Sequence, residues 1–224
     1  MVTENYDHIW DCCCDHGFLG ASLLNRQAAA NIHFVDIVPR LMAEVESKLQ
    51  RFYANSSSKW HTHCLDVAQL PLEQYSGKHL VIIAGVGGDL MMYFIEQIHQ
   101  NHPTLDIEFL LCPVHHQFAL RQTLIGLKFG LLEEILLEEN GRFYEVILVS
   151  ICNENRKQIQ VTGNELWHCN NDKQAKTAYQ YLTTTLDHYR RIQSGNTADV
   201  QHIIDAYSEV VITSKVVITS EVEK

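Results

Sequence analysis

The chain has 224 residues, 46% of them hydrophobic, which is enough to bury the core of one domain with or without a small appendage. Seventeen basic and 27 acidic residues give a net charge of −10, which weighs against nonspecific nucleic-acid binding by the whole surface. No apolar run approaches the roughly 20 residues that a bilayer span needs, residues 1–7 do not resemble a secretory leader, and the seven cysteines favour free thiols in a reducing compartment. We therefore predict a cytoplasmic globular protein.

The first two-thirds of the chain alternates strand-like and helix-like segments. Apolar runs predict five strands, at 8–13, 31–37, 60–67, 78–84 and 106–112. Helical spacing of apolar residues predicts the intervening helices, at 18–29, 39–52, from the fourth strand to His102, and from Pro113 to Phe129, where Gly130 ends the helix. This order predicts a doubly wound, mostly parallel α/β sheet.

The pattern changes after residue 130. Two apolar runs, 131–138 and 143–151, are joined through Asn140-Gly141, a strong short hairpin signal that adds an antiparallel strand to the sheet. Apolar residues at helical spacing then predict an antiparallel helical pair at 173–193 and 200–207, and the tail repeats VVITS twice. We expect a sheet domain over 1–153, a helical appendage over 154–209 and a tail without chemistry over 210–224.

The fourth predicted strand runs directly into glycines, as IAGVGG over residues 83–88. Glycine has no Cβ, so a ligand can approach such backbone closely. A turn that only packs a helix onto the sheet produces the same pattern. Both interpretations stay open for this motif taken alone.

Three aspartates, Asp11, Asp36 and Asp66, stand at the ends of the first three predicted strands. Ligands of doubly wound sheets bind beyond the carboxyl ends of the strands, and a carboxylate after the second strand can accept hydrogen bonds from both ribose hydroxyls. A single aspartate of this kind is more often a helix or turn cap. Three in series favour a nucleoside ligand.

The turn after the first strand narrows the choice of that ligand. Residues 11–17 contain neither G-x-G-x-x-G nor a phosphate-binding G-x-x-x-x-G-K loop. The carboxylates of Asp11 and Asp15 would repel phosphate but suit the ammonium and sulfonium groups of S-adenosylmethionine. We therefore predict S-adenosylmethionine rather than a dinucleotide.

Three motifs resemble those of the bacterial tRNA (adenine(22)-N(1))-methyltransferases. Residues 11–20, DCCCDHGFLG, resemble the family's D-x-G-x-D-H-[AG]-x-L-P; residues 83–88, IAGVGG, resemble I-A-G-M-G-G; residues 137–146, LEENGRFYEV, resemble L-E-E-D-G-x-x-Y-E-V. The resemblance implies a Rossmann-like methyltransferase sheet with a hairpin strand, a coiled-coil-like helical appendage, S-adenosylmethionine as cofactor and tRNA as partner. It leaves the oligomeric state open.

The resemblance also implies roles for individual residues. Asp15 and His16 become the catalytic candidates, and the substrate-binding candidates are Pro113, His116 and Tyr144. The implied cofactor-binding residues are Asp11, Cys13, Gly17, Asp36, Ile37, Asp66, Val67, Ala84, Gly85, Val86, Gly87 and Gly88.

Two departures from the family pattern motivate alternatives. Cys13 stands where the family has glycine, and Val114 stands where it has an asparagine able to contact a base. The alternative functions are a catalytically lapsed module that still binds cofactor or RNA, and a methyltransferase for a different substrate.

A metal site is not predicted. His61 and His63 share one face of their strand but Cys64 lies on the other, and no C-x-x-C pair is present. No basic residue near Cys12, Cys13 and Cys14 would activate a thiolate there.

Overall fold

The computed structural model describes residues 1–2, 6–152, 156–195 and 198–214. Its strands are β1 (Tyr6–Cys12), β2 (Ala29–Asp36), β3 (Lys59–Cys64), β4 (His79–Ala84), β5 (Ile107–Cys112), β6 (Gly130–Glu139), β7 (Arg142–Ser150), β8 (Lys157–Gln158), β9 (His168–Cys169) and β10 (Thr213–Ser214). Its helices are α1 (Phe18–Asn25), α2 (Pro39–Phe52), α3 (Gly88–Asn101), α4 (Gln117–Gly126), α5 (Asp172–Ser194) and α6 (Gln201–Ser208).

Eight strands form one sheet in the order β3-β2-β1-β4-β5-β7-β6-β8. The first five strands of the chain pair in parallel, and β7 lies antiparallel between β5 and β6. The hairpin between β6 and β7 turns at Asn140 (φ 52°) and Gly141 (φ 73°), the two left-handed residues of a type I′ turn. The doubly wound sheet with an antiparallel hairpin strand is confirmed.

Helices cover both faces of the sheet. On one face, α1 and α2 bury Leu23, Met42 and Val45 against Ile32 and Phe34 of β2. On the other face, α3 and α4 bury a second apolar layer that includes Met91, Ile95, Leu120, Val81, Ile83 and Phe109. Because successive strand residues point to opposite faces, both layers are built from the same strands.

Some predicted boundaries are wrong. The first helix ends at Asn25, not residue 29, because Gln27 takes a left-handed conformation (φ 52°) and β2 begins at Ala29. The helix after β5 ends at Gly126, not Phe129, because Lys128 takes a left-handed conformation (φ 62°) and turns the chain into β6, whose first residue is Gly130. The third strand ends at Cys64, not residue 67, and a short 3-10 turn follows at Val67–Gln69.

The two predicted helices of the appendage are present but unequal in length. The shorter α6 packs antiparallel on the end of α5, with the backbone amide of Val200 donating to Gln193 Oε1 at 2.8 Å and Tyr207 stacking on Tyr189. At the start of the tail, β10 pairs in parallel with β9, and the second VVITS copy lies outside the described residues.

A buried ionic network joins α5 to the sheet. The Arg121 side chain, fully buried on α4, donates to Glu134 of β6 at 2.7 Å and to Glu145 of β7 at 2.9 Å. Tyr181 of α5 donates its hydroxyl proton to the other oxygen of Glu145 at 2.5 Å. The guanidinium is therefore paired with two carboxylates, as a charge removed from water requires.

Five histidines cluster on the sheet face that α3 covers. His33 of β2 hydrogen-bonds through its two ring nitrogens to His8 (3.0 Å) and His63 (2.9 Å), and its ring stacks on Trp10 at 3.8 Å. The cluster is completed by His61 and His79. Burial lowers the pKa of all five histidines, that of His33 to about 2. Within the described ranges, no three His, Cys, Asp or Glu side chains are arranged to bind a metal.

Candidate functional site

The sheet order brings three strand ends together at one edge. β1 lies between β2 and β4, and the strand order reverses between β1 and β4. Residues 13–17, 37–38 and 85–88 directly follow these strands at their carboxyl ends. This is the switch point at which doubly wound sheets bind their ligands.

The turn after β1 keeps a glycine-type backbone although cysteine replaces glycine. Cys13 (φ 55°), Asp15 (φ 49°) and Gly17 (φ 72°) are all left-handed, and the amide of Cys14 donates to Val35 O at 3.0 Å. A left-handed conformation costs a side-chain-bearing residue about 1–2 kcal/mol. The half-buried Cys13 side chain packs against the apolar layer under α3, and burial raises the pKa of its thiol to about 11. The thiol is therefore neutral.

The first two strand-end aspartates are buried and hydrogen-bonded. Asp36 accepts from the amide of Asp15 (3.1 Å) with one carboxylate oxygen and from the amide of Val38 (3.0 Å) with the other. Each oxygen has a second lone pair for a ligand. Asp11 accepts from the amide of Gly20 at 2.8 Å, and burial raises the pKa of this carboxyl to about 7.

The third strand-end aspartate serves a local structural role. Asp66 caps the 3-10 turn by accepting from the amide of Ala68 at 2.9 Å, which is the capping interpretation that the sequence left open. Val67, next to it, is 3% exposed and offers little surface to a ligand. Ile37, by contrast, is 65% exposed beside Asp36 and offers an apolar surface.

The glycines of the loop at residues 83–88 serve two different purposes, ligand access at one position and close packing at two others. Gly85 is left-handed (φ 77°), and nothing lies within 4 Å of the place where its Cβ would be, so its backbone borders open space. A Cβ on Gly87 would lie 2.5 Å from the His115 ring, and one on Gly88 would lie 2.7 Å from the His115 carbonyl oxygen. Gly87 and Gly88 thus let a neighbouring loop pack closely, while Gly85 leaves room for a ligand.

That neighbouring loop, residues 112–116, follows β5 and is hydrogen-bonded to the glycine-rich loop. Val114 donates from its amide to Val86 O at 2.9 Å, and Gly88 donates to His115 O at 3.0 Å. Pro113, which directly precedes these contacts in the chain, is buried. Half-buried Tyr144, the third residue of β7, lies beyond the end of β5, since Leu111 of β5 pairs with Ile147.

The two catalytic candidates lie at the open mouth of the site. The Asp15 and His16 side chains are 68% and 45% exposed, and His16 Nε2 is 3.8 Å from Asp15 Oδ1. Both are available to a ligand. Sequence reasoning missed a further acidic residue here, Asp89, which hydrogen-bonds His116 at 2.8 Å and directly follows the glycine run.

Exposed apolar side chains surround these polar groups, and sequence reasoning missed most of them. The signal that could have found them is their position in the turn or first helical turn after a predicted strand. These side chains are Phe18, Leu19, Val38, Leu90 and Val114. Their exposure gives the site an apolar rim.

A half-open pocket lies elsewhere in the fold. It has a volume of about 810 Å³, lies between β6, β9 and the start of α5, and contains none of the predicted site residues in its lining. The chemical groups converge instead in an open cleft at the strand ends.

The methyltransferase-domain family model matches residues 1–147. The chain belongs to this family. The matched residues include every predicted site residue of the methyltransferase domain, from Asp11 to Tyr144, and stop before the appendage. Among curated proteins, none matches the chain.

Solved structures share the fold over nearly the whole chain. M. capricolum TrmK, in complex with S-adenosyl-homocysteine, has a TM-score of 0.67 at 13% identity over 92% of this chain and 90% of its own. Streptococcus pneumoniae Sp1610, which has been proposed to be a tRNA (m1A22) methyltransferase, in complex with S-adenosyl-L-methionine, has a TM-score of 0.67 at 18% identity over 93% of this chain and 94% of its own. The B. subtilis M1A22 tRNA methyltransferase TrmK has a TM-score of 0.56 at 18% identity over 90% of this chain and 86% of its own. At these identities the similarity shows the fold, including the appendage.

Proposed function

We propose that this methyltransferase domain transfers a methyl group from S-adenosylmethionine to N1 of an adenine in tRNA, at position 22 as in the structural neighbours. The observation that carries the proposal is the placement of buried Asp36 and the open backbone of Gly85 at the carboxyl ends of β2 and β4, the two strands that flank β1. Support comes from neighbours that are described as tRNA (m1A22) methyltransferases or hold S-adenosyl ligands.

The cleft has the groups that such a cofactor needs. Asp36 has lone pairs for both ribose hydroxyls, and the exposed Ile37 offers a face for the adenine ring beside Asp66 and the Val67 backbone. The cationic methionine end would lie among Asp11, Cys13 and Gly17 and the loop from Ala84 to Gly88. When bound, S-adenosylmethionine supplies a methyl group on a positively charged sulfur, which keeps the electron pair of the broken C–S bond.

The protein's task in this reaction is mainly positioning. Adenine N1 already has a lone pair, so it forms the new N–C bond without a base, and the positive charge passes from the sulfur to the methylated ring. Holding the two reactants in line can contribute several kcal/mol, about 7–11 at most. The exposed carboxylate of Asp15 would stabilise the charge that develops on the base, with His16 beside it.

The substrate side of the proposal involves the loop after β5 and the appendage. Pro113, His116 and Tyr144 lie on the side of the cleft away from Asp36. Helix α5 exposes basic side chains that could contact phosphates despite the acidic net charge; they are Lys173, Lys176, Arg190 and Arg191. No helix in the described part of the chain is long and apolar enough to cross a membrane. We propose a cytoplasmic site of action, where tRNA is available.

Calorimetric titration with S-adenosylmethionine tests the cofactor step, and methyl transfer to unmodified tRNA tests the function. We expect micromolar cofactor binding and a single 1-methyladenosine per tRNA after nuclease digestion and mass spectrometry. Cofactor binding without transfer to any tRNA would favour the lapsed module that Cys13 and Val114 suggested. Protein that is folded, free of copurified cofactor and unable to bind S-adenosylmethionine would contradict the proposal.

A further inference from the structure

Asp89 and His116 form a hydrogen-bonded pair at the cleft, and the proposed function places His116 on the substrate side but gives Asp89 no role. His116 Nδ1 lies 2.8 Å from Asp89 Oδ1, and the two side chains are 52% and 69% exposed. Asp89 is in the first turn of α3, and His116 directly precedes α4. A carboxylate beside Nδ1 fixes the proton on that nitrogen, which leaves Nε2 as a hydrogen-bond acceptor.

The backbone around this pair is strained and tightly held. His116 is left-handed (φ 64°), a conformation that is uncommon for a residue with a side chain and that clusters at functional sites. A Cβ on Gly88 would lie 2.9 Å from His116 Cβ, so the glycine at 88 is what allows the histidine loop to approach. The hydrogen bond from the Gly88 amide to His115 O then locks the two loops together.

We infer that His116 contacts the exocyclic amino group of the target adenine through Nε2, and that Asp89 is the positioning residue that orients the ring. This inference rests on the proposed function and adds a residue that selects the base. The argument starts from the loops: the histidine loop is hydrogen-bonded to residues 85–88, the backbone proposed to border the reacting methyl group.

The chemistry of the base supports this assignment. As N1 takes the methyl group, positive charge spreads to the amino group, which becomes a stronger hydrogen-bond donor to Nε2. The amino group keeps its protons, and His116 forms or breaks no covalent bond. Guanine has a carbonyl oxygen where adenine has the amino group. That oxygen and Nε2 are both hydrogen-bond acceptors, so we expect guanine to be rejected.

A double-mutant cycle tests the pair. The variants are His116→Asn, which tolerates the left-handed conformation, Asp89→Ala and the double variant. We expect each single variant to lower the single-turnover methyl-transfer rate about tenfold or more, with little change in tRNA KM, because the contact strengthens in the transition state. The double variant should be no slower than His116→Asn alone, because Asp89 acts only through His116.

Two further variants separate orientation from general damage. Asp89→Asn keeps an oxygen for the Nδ1 proton and should recover much of the rate lost in Asp89→Ala. Glu73→Gln removes another carboxylate near a histidine, 3.6 Å from His102 at the opposite edge of the sheet, and should react like the wild type.

The outcomes distinguish this inference from the proposed function. Active wild-type enzyme whose His116→Asn and Asp89→Ala variants react within twofold of it would overturn the inference alone. Additive losses in the double variant would overturn the positioning role of Asp89. Wild-type protein that binds S-adenosylmethionine but methylates no tRNA would overturn both proposals.

Discussion

The backbone amide of Asp15 donates a hydrogen bond to Asp36 Oδ2 across 3.1 Å, so the side chain that ends β2 holds the turn that follows β1. One buried carboxylate therefore shapes the loop carrying the catalytic candidates and also offers lone pairs to a ribose. The cofactor site and the catalytic turn are coupled through this contact.

Replacing Asp36 with alanine should weaken cofactor binding severely. The variant loses the ribose acceptor and both backbone hydrogen bonds, from Asp15 and Val38. A hydrogen bond to a charged group contributes about 1.5–3 kcal/mol, so we expect the Kd for S-adenosylmethionine to rise on the order of 10- to 100-fold or more. Calorimetry measures this, with Asp7→Ala as the control, because Asp7 also accepts from a backbone amide, that of Lys78 at 2.7 Å, but lies at the opposite end of β1. Wild-type-like affinity in Asp36→Ala would exclude the ribose assignment.

Replacing Cys13 with glycine should preserve or improve cofactor binding. Glycine adopts the φ of 55° without steric cost, whereas this conformation destabilises a cysteine by about 1–2 kcal/mol. The packing of the Cys13 side chain offsets part of that strain. Cys14→Gly is the matched control, because Cys14 is buried and outside the positive-φ region, and glycine there should lower stability. Urea unfolding and calorimetry measure both variants. A large loss of affinity in Cys13→Gly would show that the thiol itself contributes to the site.

Cofactor binding should release a proton near neutral pH. Burial raises the pKa of the Asp11 carboxyl to about 7, and a cationic ligand nearby would lower it again by favouring the charged form. We expect release of roughly half a proton at pH 7 and close to none at pH 8.5. The slope of binding enthalpy against buffer ionisation enthalpy measures the number of protons. A zero slope at both pH values would place the cation away from Asp11.

The histidine cluster should destabilise the fold as the pH falls. Burial lowers the pKa of His33 to about 2, so His33 stays neutral in the folded protein. Below pH 6.5 the histidine of the unfolded chain takes up a proton that the folded chain does not, and the folded state loses stability. One fully shifted histidine costs about 2 kcal/mol between pH 7 and pH 5. Asp11 acts in the opposite direction, because its raised pKa favours the protonated folded state over this range.

The difference in unfolding free energy between wild type and His33→Gln isolates the contribution of His33 to the pH dependence of stability. Urea unfolding at pH 7, 6 and 5 should show the stability advantage of wild type shrinking by about 2 kcal/mol. Thr183→Ala, on the exposed side of α5, changes no titratable group and should differ from wild type by a constant amount. A constant difference for His33→Gln as well would mean that His33 can be protonated in the folded protein.

Local sequence signals were sufficient for the strands, the hairpin turn and the strand-end aspartates. Asn140-Gly141 predicted its turn because only residues that tolerate left-handed backbone fit there. The functions of Gly87 and Gly88 could not be predicted, because the contact that requires them comes from a loop almost 30 residues away. The same holds for Arg121 of helix α4, whose carboxylate partners come from strands β6 and β7.

The most direct test of the central claim is methyl transfer to a matched pair of unmodified tRNA transcripts that differ only in having adenine or guanine at position 22. The account predicts 1-methyladenosine in the first transcript, located at position 22 by nuclease digestion and mass spectrometry, and none in the second. Equal methylation of both transcripts, or none of either by protein that binds S-adenosylmethionine, would contradict it.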